Sequence, residues 1–209
     1  MRSGALPRDV HRRRDAVLAL SESEKSDDGD AGALDANRMS PDLVPAAAAA
    51  ARALINEGRA RQATKVIRKA WEAQPHPDLA AAFAEIDTEE SPQARQTRFK
   101  QLLKLHPDHE ETRLLEAELA IAAEDFEAAR GAIGDLTETH PTARSLALMA
   151  AIERGSGAED GVVRAYLARA VNAPRGPAWV CDNCRAPSPA WAPVCASCKS
   201  LDTLSGREV

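Results

Sequence analysis

Residues 41–75 read PDLVPAAAAAARALINEGRARQATKVIRKAWEAQP, and this stretch decides the fold. Prolines at a nearly constant spacing frame it and continue beyond it; they are Pro41, Pro75, Pro107, Pro141 and Pro174, separated by 34, 32, 34 and 33 residues. A period near 34 is typical of arrays of helix–turn–helix units, whose neighbours bury each other's apolar faces. The chain is therefore predicted to consist mainly of repeated helix pairs.

Within this stretch the residue types fit one such unit that begins at Val44. Gly58 falls at the turn between the two helices, and Ala63 and Ala70 take the two small positions of the second helix. Small side chains there let neighbouring helices approach closely. The sequence resembles the tetratricopeptide repeat family, which implies a right-handed superhelix with a concave binding face.

The other units are less regular. The second has its turn at Glu90-Ser91-Pro92, the third at Asp125-Phe126 with its second helix running to Pro141, and the fourth at Gly155-Ser156-Gly157. A degraded first unit is predicted upstream, with a polar turn at 24–30. A generic helical bundle without repeats is the alternative.

Composition supports a helical class. Only 3% of the 209 residues are aromatic, whereas 44% are hydrophobic and alanine is abundant, which favours closely packed helices over sheets. The net charge of −5, with both signs scattered, argues against duplex nucleic acid as a partner. No stretch approaches the ~20 apolar residues of a membrane span, and the first 20 residues lack a signal peptide's apolar core. We expect a cytoplasmic protein.

The four cysteines of the chain form two pairs near its end, Cys181-x2-Cys184 and Cys195-x2-Cys198. Two such turns can complete a tetrahedron of thiolates around one ion. Zinc is favoured, with iron in a rubredoxin-like site and disulfide bridges as alternatives. Four sulfur ligands leave no open coordination position, so we expect a structural metal. A short hairpin between the pairs is predicted to bring them together.

The end of the chain resembles a rubredoxin-type zinc ribbon, as found in LapB and in the repair ATPase RadA. Trp179 and Trp191 are expected to pack over the metal site. RanBP2-type fingers share the spacing and the first tryptophan, but Ser188 stands where they have asparagine, so RNA recognition is a minor alternative. Arg185 and Lys199 replace the glycines usual after each second cysteine, where a positive φ is needed.

Repeats followed by such a ribbon resemble the C-terminal part of alphaproteobacterial HemY-type proteins. That resemblance implies a link to haem biosynthesis and to the inner membrane, although the family's N-terminal membrane hairpin is missing from this sequence. Membrane contact is then expected only through a missing anchor or a partner. The resemblance also raises the alternatives of a LapB-like regulator that presents a client to a membrane protease, or a tetrapyrrole-handling enzyme.

The predicted architecture is an all-α tetratricopeptide-repeat solenoid with a small C-terminal β zinc ribbon. It comprises a flexible tail at 1–9, helical repeats at 10–174 and the ribbon at 175–209. The sequence contains no phosphate-binding loop, dinucleotide-binding fingerprint or nucleophile elbow, and the histidines at 106 and 109 are placed in a solvated loop.

These features predict a non-enzymatic scaffold that holds a protein or peptide in the concave groove, with the ribbon packed against the last repeat or on a second partner. Repeat register makes four polar residues candidates to face the groove: Arg52, Asn56, Glu118 and Glu153.

Overall fold

A computed structural model describes residues 7–23, 29–176 and 178–207. This part of the chain holds eleven helices: α1 Arg8–Ser23, α2 Gly29–Met39, α3 Val44–Asn56, α4 Ala60–Ala73, α5 Pro77–Ala84, α6 Pro92–Leu103, α7 Glu110–Ala122, α8 Phe126–Ile133, α9 Leu136–Thr139, α10 Ala143–Gly155 and α11 Asp160–Asn172. Three short strands follow: β1 Ala178–Cys181, β2 Pro187–Ser188 and β3 Leu204–Arg207. The predicted class, mostly helical with a small C-terminal strand region, is confirmed.

The helices begin and end where the local sequence directs them. Each of the five periodic prolines lies outside the helices, in a connection between helix pairs or after the last helix. Pro77 and Pro92 occupy the first turns of α5 and α6, where the missing N–H of proline costs no hydrogen bond. Asp125 caps α8, because its Oδ1 accepts a hydrogen bond from the backbone N–H of Ala128 at 3.0 Å.

Among the described residues, one compact unit comprises 7–23, 29–88 and 179–206. Its helix α4 buries Ala63, Ile67 and Ala70 completely, and α3 turns an alanine-rich face against it, so the small positions allow close packing. Gly58 connects the two helices with a φ of +73°, a conformation that favours glycine. The helix pair predicted for residues 44–75 is therefore confirmed.

The second compact unit comprises the described residues 89–176, 178 and 207. Its core is formed mainly by α7, α8 and α10, with side chains on each helix recurring every three or four residues. The buried members are Leu114, Ala117, Ala120, Ala129, Ile133, Leu136, Met149 and Ile152.

The third helix pair differs from the prediction, because α8 ends at Ile133 and does not continue to Pro141. Gly134 follows with a φ of +51°, which terminates the helix, and the short helix α9 fills the remaining distance. Arg113 stabilises this end: its Nε donates to the carbonyl of Ala132 at 3.1 Å, and its Nη2 donates to that of Ile133 at 2.7 Å. A cation bonded to the terminal carbonyls is stabilising, because the C-terminal end of a helix carries a partial negative charge.

The first helix pair is present and extends further than predicted. Helix α1 begins at Arg8, so positions 8 and 9 of the predicted tail are helical, and Asp9 lies in the first turn, where a negative charge is favourable. Of the turn predicted at 24–30, residues 24–28 lie outside the described residues, and Gly29 and Asp30 belong to α2. Among the described helices, none is both long and apolar enough to cross a membrane.

Candidate metal centre

The strands build a small sheet in the order β2-β1-β3. In the antiparallel β1–β2 pair, Trp179 lies opposite Ser188 and Val180 opposite Pro187. The prediction placed a hairpin between the two cysteine pairs, and this was wrong, because the β1–β2 hairpin encloses the first pair's own turn. A bridge between Val194 and Leu201 encloses the second turn in the same manner. Each turn is thus closed by its own flanking residues.

The two cysteine turns have matching backbone geometry. The N–H groups of Arg185 and Lys199 donate to the carbonyls of Cys181 and Cys195 at 2.8 and 3.0 Å. Arg185 and Lys199 have φ values of +62° and +61°. These are the two positions where the zinc-ribbon resemblance leads one to expect glycine, and a side chain at such a φ is strained.

The turns bring the four sulfurs together. The Sγ atoms of Cys181 and Cys198 lie 3.6 Å apart, and those of Cys184 and Cys195 lie 3.7 Å apart. All four sulfurs lie within 4.8 Å of one another. A tetrahedral ion with metal–sulfur bonds of about 2.3 Å requires sulfurs about 3.8 Å apart, whereas a disulfide requires about 2.05 Å. The four free thiols therefore fit a metal ion and do not form disulfides here.

Polar groups surround the sulfurs. The side-chain amide of Asn183 donates to Cys198 Sγ at 3.5 Å, and the hydroxyl of Ser200 lies 3.3 Å from the same sulfur. The Ser200 and Asn183 contacts lower the pKa of Cys198 to about 5. The Thr203 hydroxyl, 3.3 Å from Cys181 Sγ, lowers the pKa of that thiol. These contacts favour the thiolate, which is the form that binds metal.

Two tryptophans pack beside the cysteines. Trp179 and Trp191 both contact a buried cluster formed by Cys181, Cys195 and Leu204. Trp179 also lies against His76, with ring centroids 5.0 Å apart. The aromatic side chains thus contribute apolar contact to a segment with few other large side chains.

The ribbon also contacts the first helices of its own unit. Trp191 and Leu201 pack against the buried cluster that α1, α2 and the start of α3 share. Arg13 of α1 donates through Nε to both carboxylate oxygens of Asp202, at 3.2 and 3.1 Å. The sequence predicts that the ribbon packs on the last repeat or on a second partner, whereas the structure shows these contacts with α1–α3. The Arg13–Asp202 pairing spans 189 residues and leaves no local sequence signal, which is why it was not predicted. Ser200 and Thr203 lie close to the second cysteine pair in sequence and were also not predicted.

The groove candidates lie on first helices of their repeats, and three of the four form ion pairs. Within the first unit, Arg52 on α3 donates to Glu85 at 2.9 Å, and Asn56 is exposed at the end of that helix. Within the second unit, Glu118 on α7 accepts from Arg144 at 2.8 Å. Glu153 on α10 accepts a hydrogen bond from Arg130 of α8.

The Glu118 pair belongs to a larger cluster that the sequence did not indicate. Nη1 of Arg144 on α10 also donates to Glu111 on α7 at 2.6 Å. The Glu111 side chain is only 8% exposed, and burial raises its pKa, while the Arg144 contacts oppose the rise. One guanidinium therefore joins two carboxylates between successive first helices.

Residues 90–152 match the family model described as tetratricopeptide repeat. A curated relative, "Probable magnetosome protein Mms48" from Magnetospirillum gryphiswaldense, is 31% identical over 163 residues, which cover 78% of this chain and 36% of that protein. This chain therefore spans little more than a third of the relative's length. The segment that matches the repeat model, residues 90–152, begins before α6 and ends within α10, so it falls on helices that the structure forms.

Proposed function

We propose that this chain is a non-enzymatic scaffold that binds a protein or peptide through the first helices of its repeats. The observation that carries the proposal is the match of residues 90–152 to the tetratricopeptide repeat model, on a segment that folds as helix pairs. Arrays of this type bind partners on the surface that successive first helices share. In this chain that surface includes α7 and α10, which Arg144 joins.

The charges on this surface suggest the chemistry of the partner. The Glu118 side chain is 39% exposed although it accepts a hydrogen bond from Arg144, so an oxygen of its carboxylate can receive a second donor from outside. Arg52 is 43% exposed in its pair with Glu85. A lysine or arginine of a partner is therefore expected at Glu118 in the second unit, and an acidic partner group at Arg52 in the first unit.

The test is a pull-down from the native lysate with the tagged full chain and single variants. Arg52→Ala, Asn56→Ala, Glu118→Ala and Glu153→Ala are expected to reduce capture of a common partner. Arg61→Ala and Glu127→Ala are the matched controls, since both residues are exposed and lie on second helices. Each control removes the same charge as Arg52→Ala or Glu118→Ala. Equal capture by all variants and controls would refute the groove proposal.

We further propose that the four cysteines hold Zn²⁺ in a structural role. Sulfur–sulfur distances of 3.6 and 3.7 Å support this, as does the occupation of all four tetrahedral positions by sulfur. Elemental analysis is expected to find one zinc per chain, and Cys184→Ser is expected to lower this content. Iron would be recognised by its visible absorbance. Chain purified without stoichiometric metal of either kind would contradict the proposal.

Finer assignments rest on resemblance. The HemY-type resemblance suggests haem metabolism at the inner membrane, and the relative's name suggests a magnetosome role instead. A haem titration followed by absorbance tests the first suggestion. The absence of a Soret shift at micromolar protein would exclude direct haem handling. Co-purification of a membrane protease would favour the LapB-like alternative. We propose a cytoplasmic location with membrane contact through a partner.

A further inference from the structure

The ribbon segment 200–203 carries two kinds of contact, one at its ends and the other in its middle. The hydroxyls of Ser200 and Thr203 lie 3.3 Å from the sulfurs of Cys198 and Cys181. Between them, Leu201 packs against the cluster shared by α1, α2 and α3, and Asp202 pairs with Arg13 of α1. The two side chains that contact the helices are therefore flanked on both sides by side chains that contact the cysteine sulfurs.

The backbone ties this segment to the cysteine turns as well. The N–H of Asp202 donates to the carbonyl of Pro193 at 2.9 Å, and the N–H of Asp182 donates to that of Thr203. Asp202 itself has a φ of +52°, a conformation that its surroundings must impose on a residue with a side chain. Its carboxylate reaches Arg13 from this conformation, and its side chain is only 7% exposed.

Trp191 links the two sides directly. Its side chain packs against the cysteine cluster of the ribbon and also against the helical cluster that contains Ala16, Val17 and Leu20. The buried apolar residues of the ribbon cluster itself are few: Cys181, Cys195 and Leu204. A segment of this size with so small a core depends on a metal for its fold.

We infer that the four-cysteine centre is a metal-dependent clasp, in which an ion bound to the ribbon stabilises the helix pair α1–α2. With the ion bound, the ribbon is folded, and Trp191, Leu201 and Asp202 keep their contacts with α1–α3. Without it the ribbon loses its fold, and the helical cluster loses the cover that Trp191 and Leu201 provide. Metal occupancy then sets how much of the time α1 and α2 are formed. This inference rests on the proposed metal centre.

Hydrogen–deuterium exchange of the full chain, zinc-loaded and after chelation, tests the clasp. Peptides from α1 and α2 are expected to exchange at least about fivefold faster after chelation, because their local opening no longer has to break the docking contacts. Peptides from α7 and α10 are the internal reference and are expected to be unchanged. Metal content is measured on the same samples.

Linkage supplies a second test, on variants in which the cysteines are intact. If zinc stabilises the docked state, docking must raise zinc affinity by the same factor. Arg13→Ala removes the ion pair with Asp202 and is expected to weaken zinc binding by about two- to fivefold, the range for a partly exposed pair. Arg14→Ala is the matched control: Arg14 is an exposed arginine on the same helix, and its removal is expected to leave zinc affinity unchanged.

The outcomes separate the clasp from the metal centre. Zinc that leaves on chelation without any change in α1–α2 exchange would overturn the clasp and retain the metal site. Equal zinc affinity of Arg13→Ala and Arg14→Ala would also overturn the clasp and retain the metal site. If the purified chain binds no metal ion at the four cysteines, the metal centre and the clasp both fall.

Discussion

Arg144 is the residue whose removal should test the packing of the second unit most directly. It bonds Glu111 at 2.6 Å and Glu118 at 2.8 Å, and thereby joins α10 to α7. In Arg144→Met the helix keeps its propensity and most of the side-chain volume, but both carboxylates lose their cation. Glu118 is 39% exposed and is readily hydrated, whereas Glu111 is 8% exposed and is hydrated much less. The cost should therefore arise mainly from Glu111.

Breaking a buried ion pair by removing one partner costs about 3–5 kcal/mol. We expect the lower end, about 3 kcal/mol, because the side chain of Arg144 is 30% exposed and water can enter the space it leaves. For a chain of this length that loss corresponds to a decrease in Tm of roughly 6–12 °C. The double variant Arg144→Met, Glu111→Met removes the isolated carboxylate and should recover to within about 1 kcal/mol of the parent.

Thermal unfolding followed by circular dichroism, repeated at several pH values, is the assay. Burial raises the pKa of Glu111, and the Arg144 contacts oppose that rise, so the pKa should be higher still in Arg144→Met. The folded variant then holds a proton that the unfolded chain releases, and its stability falls as pH increases above the ordinary glutamate range. The deficit should shrink toward acidic pH. A loss below about 1 kcal/mol, or a double variant no better than the single one, would refute this reasoning.

Two further predictions concern backbone and packing strain. Arg185→Gly and Lys199→Gly relieve positive φ values of +62° and +61°, and each should tighten zinc binding by about two- to fivefold in competition with a chelator. Gly155→Ala places a Cβ in steric overlap with the ring of Phe126, and this overpacking should outweigh the helix propensity of alanine. The net loss of stability is expected to be about 1–2 kcal/mol in thermal unfolding.

Matched controls exist for both. Ala196→Gly changes an exposed turn position that is not among the residues with positive φ, so it should not tighten zinc binding. Gly131→Ala adds a Cβ with no neighbouring atom within 4 Å, and it should stabilise the chain by about 0.5–1 kcal/mol. If Gly155→Ala stabilised the chain as Gly131→Ala is expected to, the close packing of Phe126 would be contradicted. Weaker zinc binding by both Arg185→Gly and Lys199→Gly would contradict the argument that positive φ values strain these two turns.

The sequence by itself determined the features that depend on neighbours along the chain. The proline period predicted the helix pairs, because proline is tolerated in the first turn of a helix but interrupts its interior. The two Cys-x2-Cys turns predicted a cluster of four sulfurs, because ligand spacing is a local property. The departures from glycine at Arg185 and Lys199 were also visible, and the backbone there has the positive φ that glycine would ease.

Only the tertiary structure decided which surfaces meet. The early end of α8 depends on Arg113, which lies on another helix and binds the terminal carbonyls. The groove candidates Arg52, Glu118 and Glu153 turned out to share their charges with residues 23 to 33 positions away. The ribbon docks on α1–α3 through Leu201 and Asp202. Such pairings depend on complementary shape and charge in the folded chain. Residues distant in sequence form no periodic pattern from which the pairings can be predicted.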